Sequence, residues 1–179
     1  GMGGDSFAAG GASRGEDVEA TLEVALEDLV SGEKQRVGLP TGKVLDVALP
    51  AGASDGHKMR LKGQGHPSPL GGAAGDAILT IRFQKHPRLT VDGADLRGDV
   101  PVSIEDAVLG GRVRVETLDG PVEMSIPAGT TGTRPMRLKG RGLPTKAGGR
   151  GDLYVTPRIA LPEGGDAELE GFLRARRNR

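Results

Sequence analysis

Val47-Ala-Leu-Pro-Ala-Gly-Ala-Ser-Asp-Gly-His-Lys-Met-Arg-Leu-Lys-Gly-Gln-Gly-His-Pro-Ser-Pro-Leu-Gly-Gly-Ala-Ala-Gly-Asp76 is written twice in this chain. Its second copy is Met124-Ser-Ile-Pro-Ala-Gly-Thr-Thr-Gly-Thr-Arg-Pro-Met-Arg-Leu-Lys-Gly-Arg-Gly-Leu-Pro-Thr-Lys-Ala-Gly-Gly-Arg-Gly-Asp152. Pro50-Ala51-Gly52 answers to Pro127-Ala128-Gly129, and Met59 to Gly63 answers to Met136 to Gly140. Gly65 and Pro67 answer to Gly142 and Pro144, and Gly75-Asp76 to Gly151-Asp152. The offset is about 77 residues. That is too long for a solenoid repeat and suits two copies of a small domain.

Composition agrees with two small β-rich domains in 179 residues. With 31 glycines, 12 prolines and only Phe7, Phe83, Phe172 and Tyr154 as aromatics, the chain requires short strands, many turns and cores of Val, Leu, Ile and Ala. Lys+Arg and Asp+Glu each number 24, so no global field attracts nucleic acid or an anionic membrane. The absence of cysteine excludes disulfides, thiol catalysis and zinc-thiolate sites, and it fits a reducing, cytoplasmic compartment. No apolar run reaches the roughly 20 residues needed to span a bilayer, so no membrane partner is expected. Gly1-Met2 reads as a scar before an internal start, which suggests a piece of a longer protein.

The predicted fold is mainly all-β. Two tandem, similar β-sandwich-like domains, each with one short helix, precede a short C-terminal helix. The expected divisions are a flexible Gly-rich linker end over 1–15, a first domain over 16–93, a second over 94–161, and a helix with a basic tail over 162–179. Val18 to Leu26 alternates, with Val18, Ala20, Leu22, Val24 and Leu26 on one face, as a half-buried strand does. Glu27 to Gly32 reads as a helical turn closed by glycine. Lys34–Leu39 and Val44–Leu49 are strands joined through Pro40-Thr41-Gly42. Lys58–Lys62 is a short strand, Gly63-Gln64-Gly65 a sharp bend, and Ala77–Phe83 a central strand broken by His86-Pro87. The second copy repeats the order: strand Asp95–Val102, helical turn Ile104–Gly110, a hairpin turning on Asp119-Gly120, and strands Arg134–Lys139 and Leu153–Ala160. Beyond Pro162, Leu169, Phe172 and Leu173 form one apolar helical stripe, capped by Asp166 and followed by Arg174, Arg176 and Arg177. So short a helix must dock on something.

Catalytic chemistry is not evident. His57, His66 and His86 show no metal-ligand spacing, and no cofactor is expected. The Gly-x-Gly bends do not open helices or end in Gly-Lys-Ser/Thr. Asp76 and Asp152 occupy equivalent places, which favours a turn-capping role repeated twice over one shared acid–base pair. Lys58, Arg60, Lys62, Arg137, Lys139 and Arg141 read as a solvated strand face. A weak nucleic-acid contact is the alternative, with few aromatics to stack bases. The residues point to a binding module and not to an enzyme.

The motifs Leu26-Glu-Asp-Leu-Val-Ser-Gly32, Leu49-Pro-Ala-Gly52, Met59-Arg-Leu-Lys-Gly-Gln-Gly65, Gly75-Asp76, His86-Pro87 and Gly93-Ala-Asp-Leu96 resemble the C-terminal substrate-binding region of DnaJ-type (J-domain) co-chaperones. So do Leu109-Gly110, Ile126-Pro-Ala-Gly129, Arg137-Leu-Lys-Gly-Arg-Gly142 and Gly151-Asp-Leu153, and together these span Asp17 to Leu161 in the family's order. The lack of cysteine resembles the zinc-free subclass that includes curved-DNA-binding-type proteins. The J domain's His-Pro-Asp signature does not occur.

This resemblance implies a dimeric protein that captures apolar segments of unfolded clients for delivery to a DnaK-type chaperone. It places the client groove between the first strand and the strand after the helical turn. Carried over, the groove residues are Ala20, Leu22, Val37, Leu39 and Leu79, for which ordinary core packing is the competing reading. Leu169, Phe172 and Leu173 are implied as a homodimer contact, against packing on their own domain. The resemblance also leaves a second function open, a DNA-binding nucleoid-associated protein of the same family.

Overall fold

The computed structural model describes residues 13–179. Phe7 and most of the expected linker lie outside the described residues. The chain forms two units. Unit 1 runs to His86 and takes in Pro144–Gly149, and unit 2 comprises Pro87–Leu143 and Arg150–Arg179.

In unit 1 the alternation of the opening stretch produces strand β1 (Val18–Val24), with Val18, Leu22 and Val24 buried and Glu19, Thr21 and Glu23 exposed. The helix α1 (Leu26–Ser31) ends on Gly32, whose φ of 72° is the left-handed closure that glycine adopts without a Cβ penalty. A hairpin of β2 (Gln35–Gly38) and β3 (Val44–Val47) follows, then β4 (Lys58–Leu61) and β5 (Ala77–Phe83). The sheet order is β1-β5-β4, with β1 parallel and β4 antiparallel to the central β5. Ala77, Leu79 and Ile81 are fully buried. The side chains of β1 and β5 meet Val37, Leu39 and Val47 in one core, so the hairpin packs on the sheet as a small sandwich.

Unit 2 repeats this plan. Its elements are β6 (Thr90–Asp92), β7 (Asp95–Ser103), α2 (Ile104–Leu109), β8 (Gly111–Thr117), β9 (Gly120–Ile126), β10 (Met136–Leu138), β11 (Leu153–Ala160) and the C-terminal α3 (Ala167–Arg177). The sheet order is β10-β11-β7-β6, with β7 parallel to β11. Val18 pairs with Ala77 in unit 1 and Leu96 pairs with Leu153 in unit 2, so β7 is the counterpart of β1 and β11 of β5. The architecture is mainly strands with few helices, as expected. Among the described residues, no helix is long and apolar enough to cross a membrane.

Three local expectations are revised. The β8–β9 hairpin closes on Thr117↔Gly120, so Leu118-Asp119 form the loop and Gly120, with φ 103°, begins the return strand. Neither loop residue has positive φ, so this is not a primed turn, and glycine is needed one position later. Secondly, only Gly63 and Gly140 of the two Gly-x-Gly motifs have positive φ. Gly65 and Gly75 are required for close approach, because Glu16 crosses them and a Cβ at either would overlap its backbone. Gly142 and Gly151 receive Ala94 in the same way. Finally, β6 arises in a stretch assigned no element from sequence, since three residues carry no readable period.

Candidate functional site

The five residues expected to line a groove come together, but largely as core. Leu22, Val37 and Leu39 are 6%, 5% and 5% exposed and Leu79 is fully buried. Ala20 is half-buried and packs against them.

Beside this cluster lies an open sheet edge. Among the described residues β1 pairs only with β5. The Val18 N–H donates to the Asp76 carbonyl (2.9 Å), and the Gln84 N–H donates to the Val24 carbonyl (2.8 Å). Backbone groups of successive strand residues point to alternate sides, so the even-numbered residues of β1 face β5. Glu19, Thr21 and Glu23 therefore direct their N–H and C=O groups away from β5, along the free edge. The sequence signal for this edge was only the polar half of the β1 alternation, which marks a solvent face and not the direction of the backbone.

The start of β1 is fastened by a device that unit 2 repeats. The Asp76 carboxylate accepts from the Gly63 N–H (2.9 Å) and from Arg60 (2.8 Å), and Arg14 lies 2.6 Å away. Asp17 in turn accepts from the Asp76 N–H (2.7 Å). In unit 2, Asp152 accepts from Gly140 (2.8 Å) and Arg137 (2.8 Å), while Asp95 accepts from the Asp152 N–H (2.8 Å). These aspartates cap turns, as expected from their repetition, and Arg60 and Arg137 are structural partners of theirs. The Gly63 N–H, then Arg60 and Arg14, hold the Asp76 carboxyl at about 2, below its ordinary 3.8. Asp17 is lowered chiefly by the Asp76 N–H, and Asp152 chiefly by the Gly140 N–H.

A carboxyl depressed in the folded state stabilises it above its unfolded value, and that contribution is lost as pH falls through the folded value. Thermal midpoints are thus expected to drop between pH about 3.8 and about 2, and Asp76→Asn should flatten that drop. An acid profile of Asp76→Asn identical to the wild type would show that the device contributes nothing.

The helix α3 is capped as its sequence indicates, with Asp166 Oδ1 accepting from the Leu169 N–H (3.0 Å). It buries none of its residues. Leu169 is half-buried, whereas Phe172 and Leu173 are 60% and 47% exposed. With Ile104, Val108 and Ile159 these three line an open apolar cavity of about 640 Å³ within unit 2. No group of three or more metal-ligating side chains occurs among the described residues.

Two similar small sandwiches follow one another in the chain, each with its strand entry fastened by a Gly-Asp/Arg device, and the capped amphipathic helix α3 comes after the second. The family description "DnaJ C terminal domain" matches residues 18–162, and the chain belongs to that family, a chaperone family. It is 42% identical to a "Curved DNA-binding protein" of Pseudomonas putida (strain W619), over 86% of this chain and 53% of that protein. It is also 42% identical to a "Chaperone protein DnaJ" of Deinococcus proteolyticus, over 91% of this chain and 51% of the relative. A "Chaperone protein DnaJ 2" of Synechocystis is 41% identical over 89% and 50%. The chain spans about half the length of the curated relatives it matches.

Proposed function

We propose that this chain is the client-binding part of a homodimeric co-chaperone, taking extended apolar segments of unfolded proteins for delivery to a DnaK-type chaperone. The observation that carries this reading is the free outer edge of β1, beside a half-buried Ala20 and an aliphatic core. A client strand adds to that edge through the backbone of Glu19, Thr21 and Glu23, which accepts any sequence. Its apolar side chains meet the rim formed by Ala20, Leu29 and Leu45, which recognises by area instead of hydrogen-bond pattern. That combination suits a promiscuous partner. Leu22, Val37, Leu39 and Leu79 then act as the floor that sets the edge in place, while Ala20 is the residue a client touches.

The exposed stripe on α3 is the homodimer contact in this proposal. Two chains joined there present two edges to one client, which raises avidity without new contacts. Twofold pairing buries Phe172 and Leu173, which the described residues leave 60% and 47% exposed.

Thr21→Pro tests the client edge. The Thr21 N–H points away from β5, so proline removes no ladder bond within the sheet, yet it withdraws a donor and places a ring in the path of an incoming strand. Affinity for a fluorescently labelled, permanently unfolded client is expected to fall by about 30-fold, with the thermal midpoint nearly unchanged. Undiminished binding by the folded variant would remove the β1 edge from the function. The DNA reading draws on the relatives named for curved DNA. It requires DNA binding by this chain that weakens steeply with salt, against a net charge of zero.

A further inference from the structure

The edge that is open in unit 1 is occupied in unit 2. β6 lies on the side of β7 away from β11, the side that corresponds to the free edge of β1. It pairs antiparallel, with Thr90 opposite Arg97 and Val91 opposite Leu96. Continuing this register places Leu89 opposite Gly98. Leu89 is 8% exposed, and a Cβ built on Gly98 would lie 2.9 Å from Leu89 Cδ2. Gly98 is the counterpart of Ala20, because Leu96 and Val18 hold equivalent places in the two sheets. A leucine from the chain itself therefore rests on the small residue that unit 1 leaves half-buried.

From this coincidence we propose that Leu89–Asp92 is a self-ligand, an internal strap that closes the β7 edge of unit 2 to extended apolar segments of the kind unit 1 accepts. The proposal rests on the client reading of unit 1 for its meaning, but not for its test. The strap is built to be displaced. A strand of three residues is short for independent stability. Beside its ladder bonds lie the buried Leu89 side chain and an ion pair that is exposed and therefore weak, Arg97 to Asp92 at 3.0 Å. The occupant that replaces it is a polypeptide segment carrying a leucine-sized side chain opposite Gly98, followed by residues free to pair with Arg97 and Asp95.

Hydrogen exchange on the full chain tests this in two parts. In the wild type, the Thr90 and Asp92 amides are expected to exchange at least about tenfold faster than those of Leu96 and Val100, which face β11. Exchange of all four at one rate would make β6 a permanent strand and overturn the proposal. In the second part the strap is released by Leu89→Ala/Thr90→Pro, and the synthetic peptide His-Pro-Arg-Leu-Thr-Val-Asp-Gly, the sequence of residues 86–93, is added. The Arg97 amide should be fast in the variant and slow again by about tenfold with peptide, while the wild type resists the peptide at this site. Failure of the peptide to protect Arg97 in the folded variant overturns the strap. The Thr21 amide reports separately on unit 1. Protection of Arg97 without protection of Thr21 keeps the strap and removes the client reading of the β1 edge.

Discussion

Gly75→Ala is expected to destabilise unit 1 by about 3 kcal/mol, the upper part of the range for overpacking, because the atoms in the way are backbone. The Gly65 N–H donates to the Gly75 carbonyl (2.8 Å), the Gly75 N–H to the His66 carbonyl (2.9 Å), and the His66 N–H to the Glu16 carbonyl (2.9 Å). Glu16 thereby runs directly over Gly75, and an added Cβ overlaps the Glu16 carbonyl. Relief requires moving the strand entry, including the Asp17–Asp76 bond at 2.7 Å. Urea unfolding should show a lower midpoint with an unchanged slope. Gly151→Ala, which meets Ala94, should do the same to unit 2. Gly71→Ala serves as a contrast, since a Cβ there meets nothing and only its φ of 80° is strained. Equal losses from Gly75→Ala and Gly71→Ala would refute the close-approach account.

The second large effect is expected in assembly. Phe172→Glu/Leu173→Glu should turn a dimer into a chain of 18.5 kDa by light scattering at micromolar concentration, with the dissociation constant raised at least about 100-fold. Two apolar side chains buried at a twofold contact are removed, each worth about 1.5–3 kcal/mol, and carboxylates would have to be desolvated in their place. The helix itself should persist in the monomer, since neither residue is buried there and the Asp166 cap at 3.0 Å is untouched. A wild-type mass of one chain under these conditions would sink the dimer proposal.

Much of the architecture was legible because it is written in local pattern. Strict alternation in Val18–Val24, the near-continuous apolar run Ala77–Phe83, and the Asp166 cap each encode one element within a few residues. The duplication carried this reading from one unit to the other. Charge at Leu22 or Val37 would have seemed a direct probe of a groove. Their exposures of 6% and 5% mean that glutamate there tests folding before function.

What the tertiary structure decided is everything that depends on which strand lies beside which. The parallel pairing of β1 with β5, more than 50 residues apart, makes β1 an edge, and no local period reports an edge. The same topology makes Gly65 and Gly75 crossing points, and lets the unremarkable Leu89–Asp92 stretch close the outer edge of β7. Side-chain periodicity tells each residue which face it takes, because that is set within the strand. Pairing tells the backbone whether its hydrogen bonds are already used, because that is set by a neighbour far away in the chain. Whether this protein has an edge to offer a client is a fact of the second kind.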